Sequence, residues 1–171
     1  MDFEKAAFYW EEKDAQSVKM EQGALRIEME KFIEAHNTCA LATGMGDFVR
    51  CTPIEYSYQY EKFWMLSEGG LKFRALKNNK SICLAIYDPY SGFDKLGGMQ
   101  IAGTAKLVEP MSKEYQDLLA FKRIPAESLR KLQHELHLIC VTPTQIDFLW
   151  SGFKKMGCGP RQHLVFQSVA D

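Results

Sequence analysis

The sequence predicts an α+β protein in which about six short antiparallel strands curl into a barrel, with helices on its flanks. Three observations carry this expectation. Short apolar runs with strand character fill most of residues 38–109. Turn residues separate them at hairpin spacing, and helical periodicity is confined mainly to segments before and after that stretch. At 171 residues, with 46% apolar and 25% charged residues, the chain suits one sizeable core, so residues 1–171 are expected to form a single domain.

The elements follow in order. Residues 1–19 carry Phe8, Tyr9 and Trp10 among acids, and read as an arm or short helix that packs elsewhere, for instance on a second subunit. From Met20 to His36, the residues Ala24, Leu25, Met29, Phe32 and Ile33 recur at helical spacing, and Asn37 and Thr38 stop the helix. Strands are expected over "TCALATG" (38–44), "DFVRCTPIEYSYQ" (47–59) and "KFWMLS" (62–67), joined by turns at "MGD" and "YE". Gly69 and Gly70 end the third strand, and a short basic helix follows, with Leu71, Ala75 and Leu76 on one side. "SICLAIYD" (81–88) and "MQIAGTAKLVE" (99–109) are further strands around a Gly-rich loop. Two helices are expected in "SKEYQDLLAFK" and "PAESLRKLQHEL", then two short strands broken near Pro143, and residues 150–171 form a tail.

Charge and cysteine usage narrow the function. A net charge of -1 gives no overall field for nucleic acid or anionic lipid. Five widely spaced cysteines without a C-x-x-C pair suit a reducing, cytoplasmic setting, and neither a secretory signal nor an apolar run of membrane-spanning length is present. No nucleic-acid or membrane partner is expected.

One stretch stands out. "SEGGLKFRALKNN" (67–79) follows a strand and, with the next residue, places Lys72, Arg74, Lys77 and Lys80 together with no acid between them. Glycines let a backbone approach a ligand, a helix start offers unpaired N–H groups, and Lys72 adds a point charge suited to phosphate. Alternation puts Arg50, Thr52 and Ile54 on one face of the neighbouring strand, so Arg50 can reach an anion held near Lys72. The competing explanation is a surface helix with a solvated basic side; the spacing is not that of a Walker motif.

Other candidates are weaker. His134 and His137 in "HELH" stand three apart, whereas H-E-x-x-H needs four, and no third ligand is evident. His36 suits a helix C-terminus. His163 follows a turn beside Arg161. There is no G-x-S-x-G elbow, and Ser67 or Cys51 would need a base brought in by folding, so no catalytic residue is assigned.

The ordered set "CALATG", "VRCTPIEY", "FWMLSEGGLKFRALKNN", "SICLAIYDPY" and "GMQIAGTAKLVE" resembles the pyridoxamine 5'-phosphate oxidase-like family of flavin-binding split barrels. The likeness runs from about residue 30 to 110 and loosely through "GPRQHLVF". It implies a six-stranded antiparallel split barrel, a homodimer, and FMN in clefts between the subunits. Arg50, Ser67 and Lys72 would hold the FMN phosphate and ribityl chain. Thr52 and the backbone of Pro53, Ile54 and Glu55 would line the flavin, and Gln100 would contact it from the same or the partner subunit. The chain departs from pyridoxamine phosphate oxidases proper: Leu71 and Glu55 stand where basic residues are expected, and the C-terminal Arg and His pattern is not recognisable. That argues against vitamin B6 oxidation.

The expected function is therefore an FMN-dependent oxidoreductase acting on a small organic substrate, with NAD(P)H as electron donor. Two alternatives stand beside it. One is a flavin store or sensor without turnover; the other is a haem-binding split barrel with His163 as axial ligand.

Overall fold

Seven strands of an eight-stranded antiparallel sheet follow one another in the order β2, β1, β5, β6, β7, β4, β3, and β8 adds to β7. Their ranges are β1 Thr38–Met45, β2 Phe48–Glu55, β3 Ser57–Gln59, β4 Lys62–Ser67, β5 Ser81–Tyr87, β6 Gly97–Val108, β7 His137–Trp150 and β8 Arg161–Val165. The two ends of the seven-strand path, β2 and β3, are separated in the chain by Tyr56 alone. One residue cannot bridge the width of a flat sheet, so the sheet must curl until its edges meet. Tyr56 is buried at that seam; its N–H donates to the Asn37 carbonyl at 2.8 Å and its hydroxyl to the Ile33 carbonyl at 2.6 Å. The result is the split-barrel α+β architecture, in a computed structural model that describes residues 2–129 and 131–166.

Alternation along the strands sorts the side chains into an inner and an outer face. Thr52, Leu41, Leu84, Ile101, Ile146 and Leu164 form one row across six strands on the core side. Helix α2 (Gln22–Glu34) covers the core with Leu25, Met29, Phe32 and Ile33. The expected helix thus forms, shorter by two residues at each end. A second cluster buries Tyr115, Leu118 and Leu119 of α4 (Lys113–Phe121) against Trp64, Val108, Leu138 and Cys140. The turn at Tyr60 and Glu61 has both residues left-handed, φ 53° and 57°, the backbone a two-residue hairpin requires.

Two expectations change in detail, and a third is narrowed to one of its alternatives. Among the described residues of the segment 125–136, only α5 (Ala126–Leu129) is helical, and it buries no residue that would anchor a longer helix. The two strands expected around Pro143 are one strand: an extra residue of β7 opposite Ala102 and Gly103 forms a bulge at the proline, which has no N–H to give the ladder. The N-terminal arm is a helix, α1 (Phe3–Ala15), with no buried residue and with Phe3, Phe8, Tyr9 and Trp10 exposed. Its connection to the barrel is bolted by buried Gln162, whose side chain accepts from Met20 N–H and donates to the carbonyls of Val18 and Gly159.

The bulge depends on Gly103. A Cβ there would lie 2.6 Å from the Thr142 carbonyl oxygen and 3.2 Å from the Pro143 Cα. Backbone cannot yield as a side-chain tip does, so Gly103→Ala is expected to cost about 1–3 kcal/mol, read as a lower urea midpoint with an unchanged slope.

Candidate functional site

Of the four cations after the glycines, Arg74, Lys77 and Lys80 are exposed and Lys72 is 6% exposed. The solvated-helix explanation fits the first three and fails for Lys72. Helix α3 (Lys72–Leu76) has five residues and packs on β1 and β2, with Lys72, Ala75 and Leu76 turned inward. Its end is tied to β1 by Asn79, which donates to the Gly44 carbonyl at 2.8 Å. So short a helix carries little dipole; the site rests on side-chain charge.

The Lys72 ammonium donates to the Gly69 carbonyl and lies 5.1 Å from the centre of the Phe73 ring. The Ser67 hydroxyl donates to the same carbonyl at 3.1 Å, and Gly69 N–H returns a bond to it at 3.3 Å. Gly69 and Gly70 have φ of 130° and 104°, a conformation L side chains rarely adopt. Among the described residues, no ion pair involves Lys72 or Arg50. Burial, and then the charge of Arg50, hold the Lys72 pKa below the ordinary lysine value. Two cations near one another with no carboxylate to balance them are costly unless an anion arrives.

Thr43 completes the cluster. It is the cross-strand partner of Arg50, it is 3% exposed, and its hydroxyl oxygen has no hydrogen-bond partner. An orphaned buried hydroxyl beside uncompensated cations is the donor set a phosphate would satisfy. The sequence did not single it out, although Cys39, Leu41 and Thr43 alternate onto the core face and the threonine is the polar member nearest the strand's end.

The expected residues divide between the two faces of the sheet. Arg50, Thr52 and Ile54 stand opposite the inward-facing Thr43, Leu41 and Cys39, so they share the core side with Lys72 and Ser67 as expected. Pro53 and Gln100 lie on the outer face in the row Pro53, Ala40, Ala85, Gln100, Asp147, His163. Glu55 is on the outer side of β2 and is held by Lys122 at 2.7 Å. Gln100 therefore does not meet Lys72 within one subunit.

The outer row ends in a separate cluster. His163 sits between two carboxylates, Nδ1 at 2.6 Å from Asp147 and Nε2 at 2.5 Å from Asp14 of α1. With Arg161, Tyr87 and Gln100 it borders an outer-face cavity of about 430 Å3. Neither ring nitrogen is free for a metal. His134 and His137 do not share a helix, since His137 opens β7, and the described residues hold no group of three metal-ligating side chains. His36 donates from Nδ1 to the Phe32 carbonyl at 2.7 Å and meets Asp88 at 3.0 Å, which is a helix-end role. Burial raises the Cys39 thiol to about 12 and the Cys140 thiol to about 11, so both behave as apolar core groups.

These features define a split barrel with a buried lysine and a neighbouring arginine, without a carboxylate partner, after its fourth strand. Residues 25–150 match the family model described as pyridoxamine 5'-phosphate oxidase, and the chain belongs to that family. Solved structures share the fold. A protein from Clostridium acetobutylicum related to general stress protein 26, of the pyridoxinephosphate oxidase family, is 16% identical with a TM-score of 0.56, over 77% of this chain and 91% of that one. An FAD-binding protein from Mesorhizobium loti is 14% identical (TM-score 0.57, 71% of this chain, 89% of that). The haem storage protein HutZ from Vibrio cholerae is 18% identical (TM-score 0.57, 68% and 87%). No curated protein matches the chain. No helix among the described residues is long and apolar enough to cross a membrane.

Because the folded state binds the Lys72 proton less tightly than the unfolded chain, stability rises with pH between the lowered value and the ordinary 10.5. The penalty is fully present at lower pH and disappears above that window. Lys72→Met in ligand-free protein is therefore expected to be as stable as the parent or more stable at neutral pH, with the difference shrinking as pH approaches 10.5. Urea denaturation of both proteins across that range checks it.

Proposed function

We propose that the protein binds FMN and works as an FMN-dependent oxidoreductase on a small organic substrate, with NAD(P)H as electron donor. The observation that carries the reading is the buried Lys72, without a carboxylate partner and next to Arg50. Lys72 and Arg50 neutralise the phosphate dianion, Ser67 and Thr43 supply hydroxyls to its oxygens, and the two glycines allow it to approach the backbone. β2 is an edge strand, so backbone groups on its open side between Thr52 and Glu55 are available to the polar edge of a flat ring. The flavin, when bound, supplies the hydride chemistry, and the chain needs only to hold it, orient it and exclude water.

The same proposal includes a homodimer. Ala40, Ala42, Ala85 and Ala102 put small side chains on the outer face, with exposed Val49, Tyr87 and Val165 around them. A second copy seated there brings its own Gln100 to a flavin that this subunit's Gln100 does not reach. Unpaired cysteines and the near-neutral charge are in keeping with a reducing, cytoplasmic setting. An FAD-binding protein and a haem storage protein share this fold, which leaves two cofactor classes to compare. For haem, the nominated ligand His163 has both ring nitrogens engaged by carboxylates, which favours flavin.

Purified protein is expected to show flavin absorption, or to gain it on incubation with FMN, and NADH or NADPH is expected to bleach it without air. Arg50→Met and Lys72→Met should each weaken FMN binding about 10- to 100-fold, the loss of one charge-assisted phosphate contact. Folded protein that remains colourless after FMN is added contradicts the reading.

A further inference from the structure

Helix α1 lies beside the barrel without burying a residue, so core packing does not hold it there. At 13 residues it is also near the length at which an isolated helix is marginal in water. The chain after it is bolted from Val18 onward, by Gln162 and by Gly159 N–H, which donates to the Val18 carbonyl at 2.8 Å. Any pivot of the helix therefore falls at Gln16 and Ser17. Two charged interactions then reach from α1 to β8. Asp14 meets Nε2 of His163 at 2.5 Å, and the Arg161 guanidinium stands over the exposed Trp10 ring, 5.5 Å from its centre.

The same histidine turns Nδ1 to Asp147 of β7 at 2.6 Å. Two carboxylates on one ring are satisfied only by the imidazolium, which has an N–H for each. The neutral ring has one N–H, and its other nitrogen then faces a carboxylate lone pair to lone pair. The surrounding groups do not remove that dependence. Burial would raise the Asp14 carboxyl, but bonds from Lys19 and His163 hold it below the ordinary carboxylate value, so it stays ionised near neutral pH. Lys19 sits on the bolted segment and pairs with Asp14 at 2.8 Å from an exposed position, which adds little. Gln145 donates to Asp147 at 2.7 Å, and Gln100, the cross-strand neighbour of Asp147 on β6, is uncharged. Across the cavity, Asp88 is engaged by His36, and Lys95 joins no ion pair among the described residues.

Arg161 and His163 both border the outer-face cavity of about 430 Å3, and α1 engages both. We propose that α1 is a proton-locked flap at the rim of this cavity, docked while His163 is an imidazolium and released when the ring becomes neutral. Once released, a helix with no packing partner melts, and Arg161 and His163 are freed toward the cavity. The inference goes beyond the flavin reading and does not rest on it.

Hydrogen exchange of the full chain, followed by mass spectrometry and corrected for the intrinsic effect of pH on exchange, tests it. Amides of α1 are expected to be at least about tenfold better protected near pH 5.5 than near pH 8.5, on either side of the range where histidines ordinarily change charge. Those of α2 should stay protected at both. His163→Gln should leave α1 unprotected at both pH values with α2 unaffected, and His163→Lys, which keeps a cation there, should keep α1 protected at both. Equal protection of α1 in the parent at the two pH values, or a fall that persists in His163→Gln or His163→Lys, overturns the inference. Protection lost on dilution at constant pH assigns α1 to a second copy and overturns it as well.

Discussion

The ammonium of Lys72 rests on a backbone carbonyl inside the protein, close to a second cation, with no carboxylate to balance either. Removing a cation from water is expensive, and surface lysines avoid the cost by staying solvated, as Arg74, Lys77 and Lys80 do here. Folding keeps Lys72 inside because Ala75 and Leu76 of the same helix are held in the core and fix the helix's orientation. The local energy is thus traded against the packing of α3 on β1 and β2, and an anion recovers it. Ser67, Thr43 and the two glycines take their meaning from that imbalance.

The curled sheet makes this arrangement possible. Joining the first and last strands of the path through Tyr56 alone turns the β2 edge toward the end of β4, where Ser67 and the glycines lie. Residues far apart in sequence, Thr43, Arg50, Ser67 and Lys72, then share one end of the barrel. The outer face of the same strands carries small residues and Gln100, so one sheet presents the Lys72 cluster on its inner side and a row of small side chains, ending at the outer-face cavity, on the other.

Much of this was legible in the sequence. Alternation in "VRCTPIEY" put Arg50, Thr52 and Ile54 on one face, and the structure has them there. Several strand ends followed from turn residues whose backbone is now seen, as at Tyr60 and Glu61, but the single strand expected over 47–59 is divided at Tyr56 into β2 and β3. What escaped was what depends on distant partners. Nothing near His163 in the chain announces Asp14, which comes from a helix 149 residues away. Pro143 read as a break because a proline removes a ladder bond, and the bulge that accommodates it is visible only once Gly103 lies opposite. The helix expected over 125–136 forms, among the described residues, only over α5, which buries no residue and gives Leu129 a half-buried place against the second cluster. Gln100 had the right chemistry on a face that the single chain does not bring to Lys72.

The central claim is that the pocket grips a phosphate. FMN and riboflavin differ by that group alone, so a side-by-side calorimetric measurement of their affinities isolates its contribution. Buried Lys72, with Arg50 beside it and an orphaned hydroxyl, should favour FMN by at least about 100-fold, roughly 2.7 kcal/mol. Equal affinities for the two would mean that the charge around Lys72 serves something other than a phosphate, and would contradict the account.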